Sequence, residues 1–132
     1  MSTQPYRHPS LYVRQTNARG RGVFCKTGLK GGTVLEVAPV IVMSGKERLH
    51  IDQTVLHDYI FEWGERSQQC AMALGWVPLF NHKVGANCAY EMDFKKTTIR
   101  VLTVTDVKAD AELFINYNGD PGSTKKVWFR TR

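Results

Sequence analysis

The 132-residue chain is predicted to be a mostly-β domain, on three observations. Its β-branched and aromatic residues fall in short runs bounded by glycine or polar turns. No segment carries the 3.6-residue apolar period over enough turns to make a long amphipathic helix. Strands and helices do not alternate as a parallel α/β sheet requires, which argues against a dinucleotide-type cofactor crevice despite the glycines.

Element by element, Leu11–Arg14 reads as a first strand, 17–20 as a turn and Gly22–Cys25 as a second strand. Gly28 to Gly32 holds three glycines and makes a turn before Thr33–Val37. Pro39 is expected to interrupt the chain before Val40–Met43, because proline donates nothing to a ladder. Ser44 with Glu47 three residues on matches a capping box, so 44–53 is expected to hold a short helix or loop. The Tyr, Ile, Phe and Trp of 56–63 favour strand, and the Ala/Met-rich 69–74 favours a helical turn or more. Asn87–Met92, Thr97–Thr105 and Leu113–Tyr117 complete the strands, the last followed by turn residues at 118–124.

One domain of this size can bury a single core. A hydrophobic fraction of 42% and a charged fraction of 23% fit a soluble globular chain. No apolar run approaches a membrane span, and Met1–Ser10 has no apolar signal region. Cys25, Cys70 and Cys88 are an odd, widely spaced set with no CxxC pair, so free thiols in a reducing compartment are expected, with neither disulfide framework nor zinc site. That favours the cytoplasm, or the nucleus in a eukaryotic host. Eighteen basic against twelve acidic residues, a formal +6, suit nucleic acid, nucleic-acid-bound proteins or an anionic cofactor, and equally serve solubility. The basic residues lie mostly towards the two ends of the chain.

Three segments carry the functional signal. Arg19-Gly20-Arg21-Gly22-Val23-Phe24 lets the backbone approach a ligand closely, although alone it is an ordinary turn. Asn81-His82-Lys83…Ala86-Asn87 offers donors and acceptors for a polar heterocycle, or simply a side-chain-stabilised loop. A Cys88/His82 nucleophile would need a third group to orient the histidine, and none is nearby in sequence. Asp110-Ala111-Glu112-Leu113…Tyr117 is locally a strand end before a hairpin-type Asn-Gly.

In this order and at this spacing, the three segments resemble the SET-domain protein-lysine methyltransferases, over roughly residues 11 to 129. The segments Asp58-Tyr59-Ile60-Phe61 and Ala71-Met72-Ala73-Leu74-Gly75 are similar to stretches of the minimal, free-standing viral- and bacterial-type members. The resemblance implies a fold of several small sheets with short helices and a knot-like C-terminal crossing. It divides the chain into an N-terminal extension (1–10), the SET domain (11–120) and a short tail (121–132) without the zinc cysteines some relatives carry.

The resemblance also implies the chemistry. S-adenosylmethionine would be the methyl donor, leaving as S-adenosylhomocysteine, with no metal. It would lie against Arg19, Gly20, Arg21 and Gly22, with Asn81 and His82 at its adenine and amino-acid ends. Trp128, next to Phe129, would pack on the adenine. Tyr117 would be the catalytic tyrosine, Glu112 a buttress of the crossing, and Tyr59, Tyr90 and Ile115 the lining of a lysine channel. Tyr90 and Ile115 further imply monomethylation or limited dimethylation. The implied partner is a lysine-bearing protein, histone-like or nucleic-acid-associated, with no membrane and with room for a homodimer. A catalytically weak SET-like binding module is the alternative reading.

Overall fold

The computed structural model describes residues 4–64, 68–118 and 121–122. Ten strands are named in chain order: β1 (Tyr6–Arg7), β2 (Leu11–Gln15), β3 (Arg21–Cys25), β4 (Val34–Met43), β5 (Phe61–Trp63), β6 (Gln69–Ala73), β7 (Asn81–His82), β8 (Cys88–Asp93), β9 (Thr98–Thr103) and β10 (Glu112–Ile115). One α-helix, α1 (Gly45–Ile51), and 3-10 turns at Val55–Asp58 and Val77–Leu79 join them. The strands form two curled sheets. The larger runs β5-β6-β4-β9-β8, with β1 added to the free part of the β4 edge, and the smaller runs β2-β3-β10-β7. The mostly-β expectation holds, as does the SET-type arrangement of small sheets.

Glycines and polar turns alternate with runs that pair directly. β2 and β3 form a five-residue antiparallel register from Leu11↔Cys25 to Gln15↔Arg21, closed by the turn at 16–20. β8 and β9 pair over six residues, from Cys88↔Thr103 to Asp93↔Thr98. The side chains pointing between the sheets make one core, with Val23, Leu35, Phe61, Val77, Phe80, Ile99, Val101, Leu113 and Ile115 fully enclosed. Cys25, Cys70 and Cys88 are free and buried. Among the described residues no helix is long and apolar enough to cross a membrane.

Three local expectations are corrected. Pro39 does not break the chain, and β4 runs unbroken through it for ten residues. The Pro39 carbonyl accepts from Leu74 N at 3.0 Å where the β4 edge passes from β6 to β1, so no ladder partner waits for the missing N–H. The Ala/Met run is strand β6, not helix, because it lies between β4 and β5. Cys70, Ala71 and Ala73 are buried there, and small side chains suit a strand covered by its neighbours better than propensity alone suggests. The aromatic run 56–63 is strand only from Phe61. Its start is capped by the Thr54 side chain, which accepts from Leu56 N and winds 55–58 into a 3-10 turn.

The helix α1 forms where the capping box predicts. Ser44 Oγ accepts from Glu47 N, and Glu47 Oε1 accepts from Ser44 N at 2.9 Å. Those bonds hold Glu47 below the usual carboxylate value. No α1 residue is buried. The helix is attached by polar contacts: Arg48 to Glu62 of β5 at 3.2 Å and to Asp52 at 3.7 Å, with Asp52 also meeting His57 at 2.8 Å.

Because α1 contributes no core, its stability rests on its cap. Ser44→Ala is expected to remove about 1 kcal/mol from the helix and to speed amide exchange over 45–51 roughly fivefold. The urea midpoint of the whole domain should barely move. Unchanged exchange would show that the cap does not hold the helix.

Candidate active site

The site is built where the two segments 81–87 and 112–118 cross, with Pro121 beside them. Strand β7 pairs with β10 in parallel for two residues only, Phe114↔Asn81 and Ile115↔His82. Side chains extend this short ladder. Asn87 donates to Glu112 O at 2.9 Å and accepts from Phe114 N at 2.8 Å, acting as a further strand residue would. Lys83 N donates to Ile115 O, and Gly85 N to Pro121 O at 2.8 Å. The Asn116 side chain also donates to Pro121 O at 3.3 Å. The expected C-terminal crossing is therefore present, and Asn87, not assigned a site role from sequence, is its main side-chain clasp.

Asn81 joins the crossing to the glycine turn. It is 1% exposed, and its amide donates to Glu112 Oε2 at 2.7 Å and to Arg21 O at 3.2 Å. Gly22 lies directly beside this pair. A Cβ there would run into Glu112 Oε2 and come within 3.0 Å of Asn81 Nδ2, so only glycine lets β3 pass. Glu112 thus takes the buttressing place implied for it. Asn81 Oδ1 is buried with no hydrogen-bond partner among the described residues. Such an acceptor is costly unless something donates to it.

The turn before Gly22 is pinned in turn. Thr16 N and Oγ1 both donate to Gly20 O, at 2.7 and 2.8 Å, and Arg19 N donates to Thr16 Oγ1 at 2.9 Å. Gly20 has a φ of +70°, and a side chain there would meet open space. The Arg19 guanidinium lies over the Phe114 ring at 5.2 Å, and Lys83 Nζ lies over the same ring at 5.2 Å. Phe114 is a contact that the sequence did not single out.

Tyr117 leaves the end of β10 and turns into the core, 1% exposed. Its hydroxyl donates to Phe80 O at 2.6 Å, with Pro78 O at 3.4 Å. Phe61 stacks on its ring at 5.4 Å, and His82 meets it edge-on at 5.9 Å. The Tyr90 hydroxyl donates to Tyr117 O at 2.8 Å, and the Tyr90 ring packs edge-on against Phe61 at 5.2 Å. Burial pushes the Tyr90 phenol up, helped by Tyr117 and Glu62, so it stays neutral at physiological pH. Ile115 is fully buried, paired with His82. Tyr59 is half-buried at the end of the 3-10 turn, two residues before Phe61. Trp128 and Phe129 lie outside the described residues.

Of the expected residues, Arg21, Gly22, Asn81, His82, Tyr90, Ile115 and Tyr117 converge through these bonds. Phe61, Pro78 and Phe80 were missed as site residues. The two carbonyls belong to the main chain, which a residue-type pattern cannot show. Phe61 had a signal, an aromatic in a segment similar to the minimal family members. The Cys88/His82 nucleophile does not assemble. Burial pushes the Cys88 thiol far up, and His82 serves the Tyr117 backbone instead. Among the described residues no cluster suits a metal ion.

His82 Nδ1 accepts from Tyr117 N at 3.1 Å, which requires a neutral ring. Burial lowers its pKa, in the same sense. The unfolded chain therefore takes up this proton first as pH falls. The His82 contribution is intact above the ordinary histidine value of about 6.5 and is lost as pH drops through the lowered folded value. Urea midpoints measured from pH 7.5 downward should fall across that window, with a shallower fall in His82→Gln. Parallel curves would remove His82 as the titrating group.

Comparison with known proteins agrees with this geometry. The SET domain family profile matches residues 20–118. The chain is 34% identical over 120 residues to a histone-lysine N-methyltransferase, H3 lysine-37 specific, of Schizosaccharomyces pombe, covering 90% of this chain and 76% of the relative. In fold it is similar to a candidate histone methyltransferase of Plasmodium falciparum, with a TM-score of 0.65 at 23% identity, covering 83% of this chain and 94% of that one. It is also similar to a chain of the Chaetomium thermophilum Polycomb Repressive Complex 2, with a TM-score of 0.67 at 20% identity. That match covers 84% of this chain and only 15% of the larger one. With the glycine turn, the crossing and the buried tyrosine in one place, the chain belongs to the SET-domain family of protein-lysine methyltransferases.

Proposed function

We propose that this chain transfers a methyl group from S-adenosylmethionine to the side-chain amine of a lysine in a histone or histone-like protein, with Tyr117 as the catalytic residue. The observation that carries the reading is the fixed, buried phenol of Tyr117. Its one proton is engaged by Phe80 O at 2.6 Å, so its oxygen can take part in chemistry only as an acceptor. An acceptor held in a water-poor pocket favours partial positive charge placed against it.

The residues of the glycine turn and the crossing suit the methyl donor. Asn81 Oδ1 is a buried acceptor without a donor among the described residues, next to the point where Gly22 lets β3 pass and near the open surface at Gly20. S-adenosylmethionine carries both ammonium and amino donors, and its carboxylate suits the cations of Arg19 and Lys83. Arg19, Gly20, Arg21, Gly22, Asn81 and His82 would hold it. When bound, it supplies an electrophilic methyl on a sulfonium.

The protein's share of the reaction is alignment and desolvation. A lysine amine must be neutral to attack, and aromatic walls disfavour its charged form. Phe61 and Tyr90 offer such walls, and the raised Tyr90 phenol keeps a hydroxyl, not an anion, beside the amine. No strong base is needed, because the proton can leave before attack. The resemblance to an H3-directed relative supports a histone substrate, which would put the work in the nucleus.

Recombinant histone H3, labelled cofactor and mass spectrometry test the proposal. Tyr117→Phe should lower turnover on the order of a hundredfold while cofactor affinity stays within about threefold. Wild-type protein that binds no cofactor at micromolar concentration would leave only the binding-module reading. Tyr90→Phe removes the bond to Tyr117 O and frees space at the amine, so its products should shift towards higher methylation. An unchanged product ratio would remove Tyr90 from that role.

A further inference from the structure

Beyond the crossing, one buried carboxylate is bound to the same tyrosine by an unbroken path. Glu36 on β4 is 2% exposed, the most enclosed acid among the described residues. Its Oε2 accepts from Trp76 N at 3.0 Å and from Arg7 Nη2 at 3.3 Å. Arg7 in turn lies over the Trp76 ring at 3.8 Å. Glu36 Oε1 has no partner among the described residues. Gly75, at a φ of +90°, makes the approach feasible, since a Cβ there would collide with Glu36 Oε2 and crowd Arg7 Nη2 at 3.1 Å.

A buried charge held this way is costly, and hydrophobic replacement is commonly at least as stable. What Glu36 does that an apolar residue cannot is fix one amide, Trp76 N. Trp76 opens the 3-10 turn Val77–Leu79, and Leu79 N donates back to Trp76 O at 2.8 Å. That turn carries the two carbonyls, Pro78 O and Phe80 O, that meet the Tyr117 hydroxyl. The next residues are β7, paired to β10. The span 76–82 is thus tied at one end by Glu36 and at the other by the crossing, with the Tyr117 acceptors between.

We propose that Glu36, supported by Arg7, is a positioning residue for the methyl transfer, setting through Trp76 and the 77–80 turn the place of the Tyr117 hydroxyl. The proposal rests on the reading of Tyr117 as catalytic for its kinetic consequence, but not for its structural one. Glu36→Gln keeps a carbonyl oxygen for Trp76 N, whereas Glu36→Ala removes it.

The full chain labelled at the tyrosine ring carbon bearing oxygen, with Tyr117 assigned by Tyr117→Phe, decides the structural part by NMR. The Tyr117 resonance is expected to move by more than a linewidth in Glu36→Ala and to return towards wild type in Glu36→Gln. If it stays put in a folded Glu36→Ala, or moves equally in both variants, the proposal is overturned. Should Glu36→Ala not fold, Trp76 gives a second route. Trp76→Pro deletes the same donor, along with the ring under Arg7, while keeping the Glu36 carboxylate, and an unmoved Tyr117 resonance there would likewise overturn it. With histone H3 as substrate, Glu36→Ala should lower kcat roughly tenfold with KM changed by less than about twofold, and Glu36→Gln should recover most of the loss. If Tyr117→Phe leaves turnover intact, the catalytic reading of Tyr117 fails, and the resonance still decides the coupling by itself.

Discussion

The constraint on which the rest depends is the crossing of 81–87 with 112–118. Two chain segments far apart in sequence meet there through a ladder only two residues long, too short to hold register by itself. Side chains make good the shortage. Asn87 supplies one donor and one acceptor to β10, and Asn81 binds the Glu112 carboxylate. A hydrogen bond to a charged group is worth about 1.5–3 kcal/mol, and leaving Glu112 or Asn81 unpaired here would cost at least the buried desolvation. Glycine at position 22 is what lets β3 come close enough for the pair to form.

From that constraint the position of Tyr117 follows. β10 ends at Ile115, and His82 accepts from Tyr117 N, so the chain turns inward at a defined residue. The ring then lies on Phe61, and the hydroxyl meets the main chain of 78–80. Three bonds to Tyr117 come from different parts of the fold: β7 at its amide, β8 through Tyr90 at its carbonyl, and the end of the 3-10 turn at its hydroxyl. A tyrosine held at its amide, its carbonyl and its hydroxyl has little rotational freedom to lose on binding, which is the physical meaning of preorganisation.

Much of this was legible in the sequence. Glu47 three residues after Ser44 located α1 because a capping box is a local interaction, complete within four residues. Gly22, Asn81, Glu112 and Tyr117 were legible as a set only through resemblance, since their contacts span 31 to 60 positions or more. β6 was not legible. Ala71, Met72 and Ala73 carry helical propensity, and only burial between β4 and β5 makes them strand. The continuity of β4 at Pro39 was hidden for a similar reason, because the change of edge partner from β6 to β1 is a tertiary event. The Phe80 and Pro78 carbonyls carry no side-chain signature at all.

Charge was read from sequence as lying at the two ends, and the fold gives it a different order. Arg14 lies over Phe24 at 4.0 Å, while Arg19 and Lys83 share Phe114. Aromatic faces hold these cations without neutralising them, so three cations stand on or beside the sheet β2-β3-β10-β7 near the glycine turn. Cations so placed suit a ligand carboxylate and repel a protonated lysine. On the other side of Tyr117, the acid that bears on Tyr90 is Glu62, itself bridged to Arg48. Under the methyl-transfer reading, a substrate lysine would approach by Tyr90 and Glu62 more readily than past Arg19. On that reading, moving from Glu62 against the aromatic rings would cost the lysine water, and with water the stabilisation of its charge. The neutral amine would then be the form that attacks, and the site would need a phenol fixed in place more than a strong base.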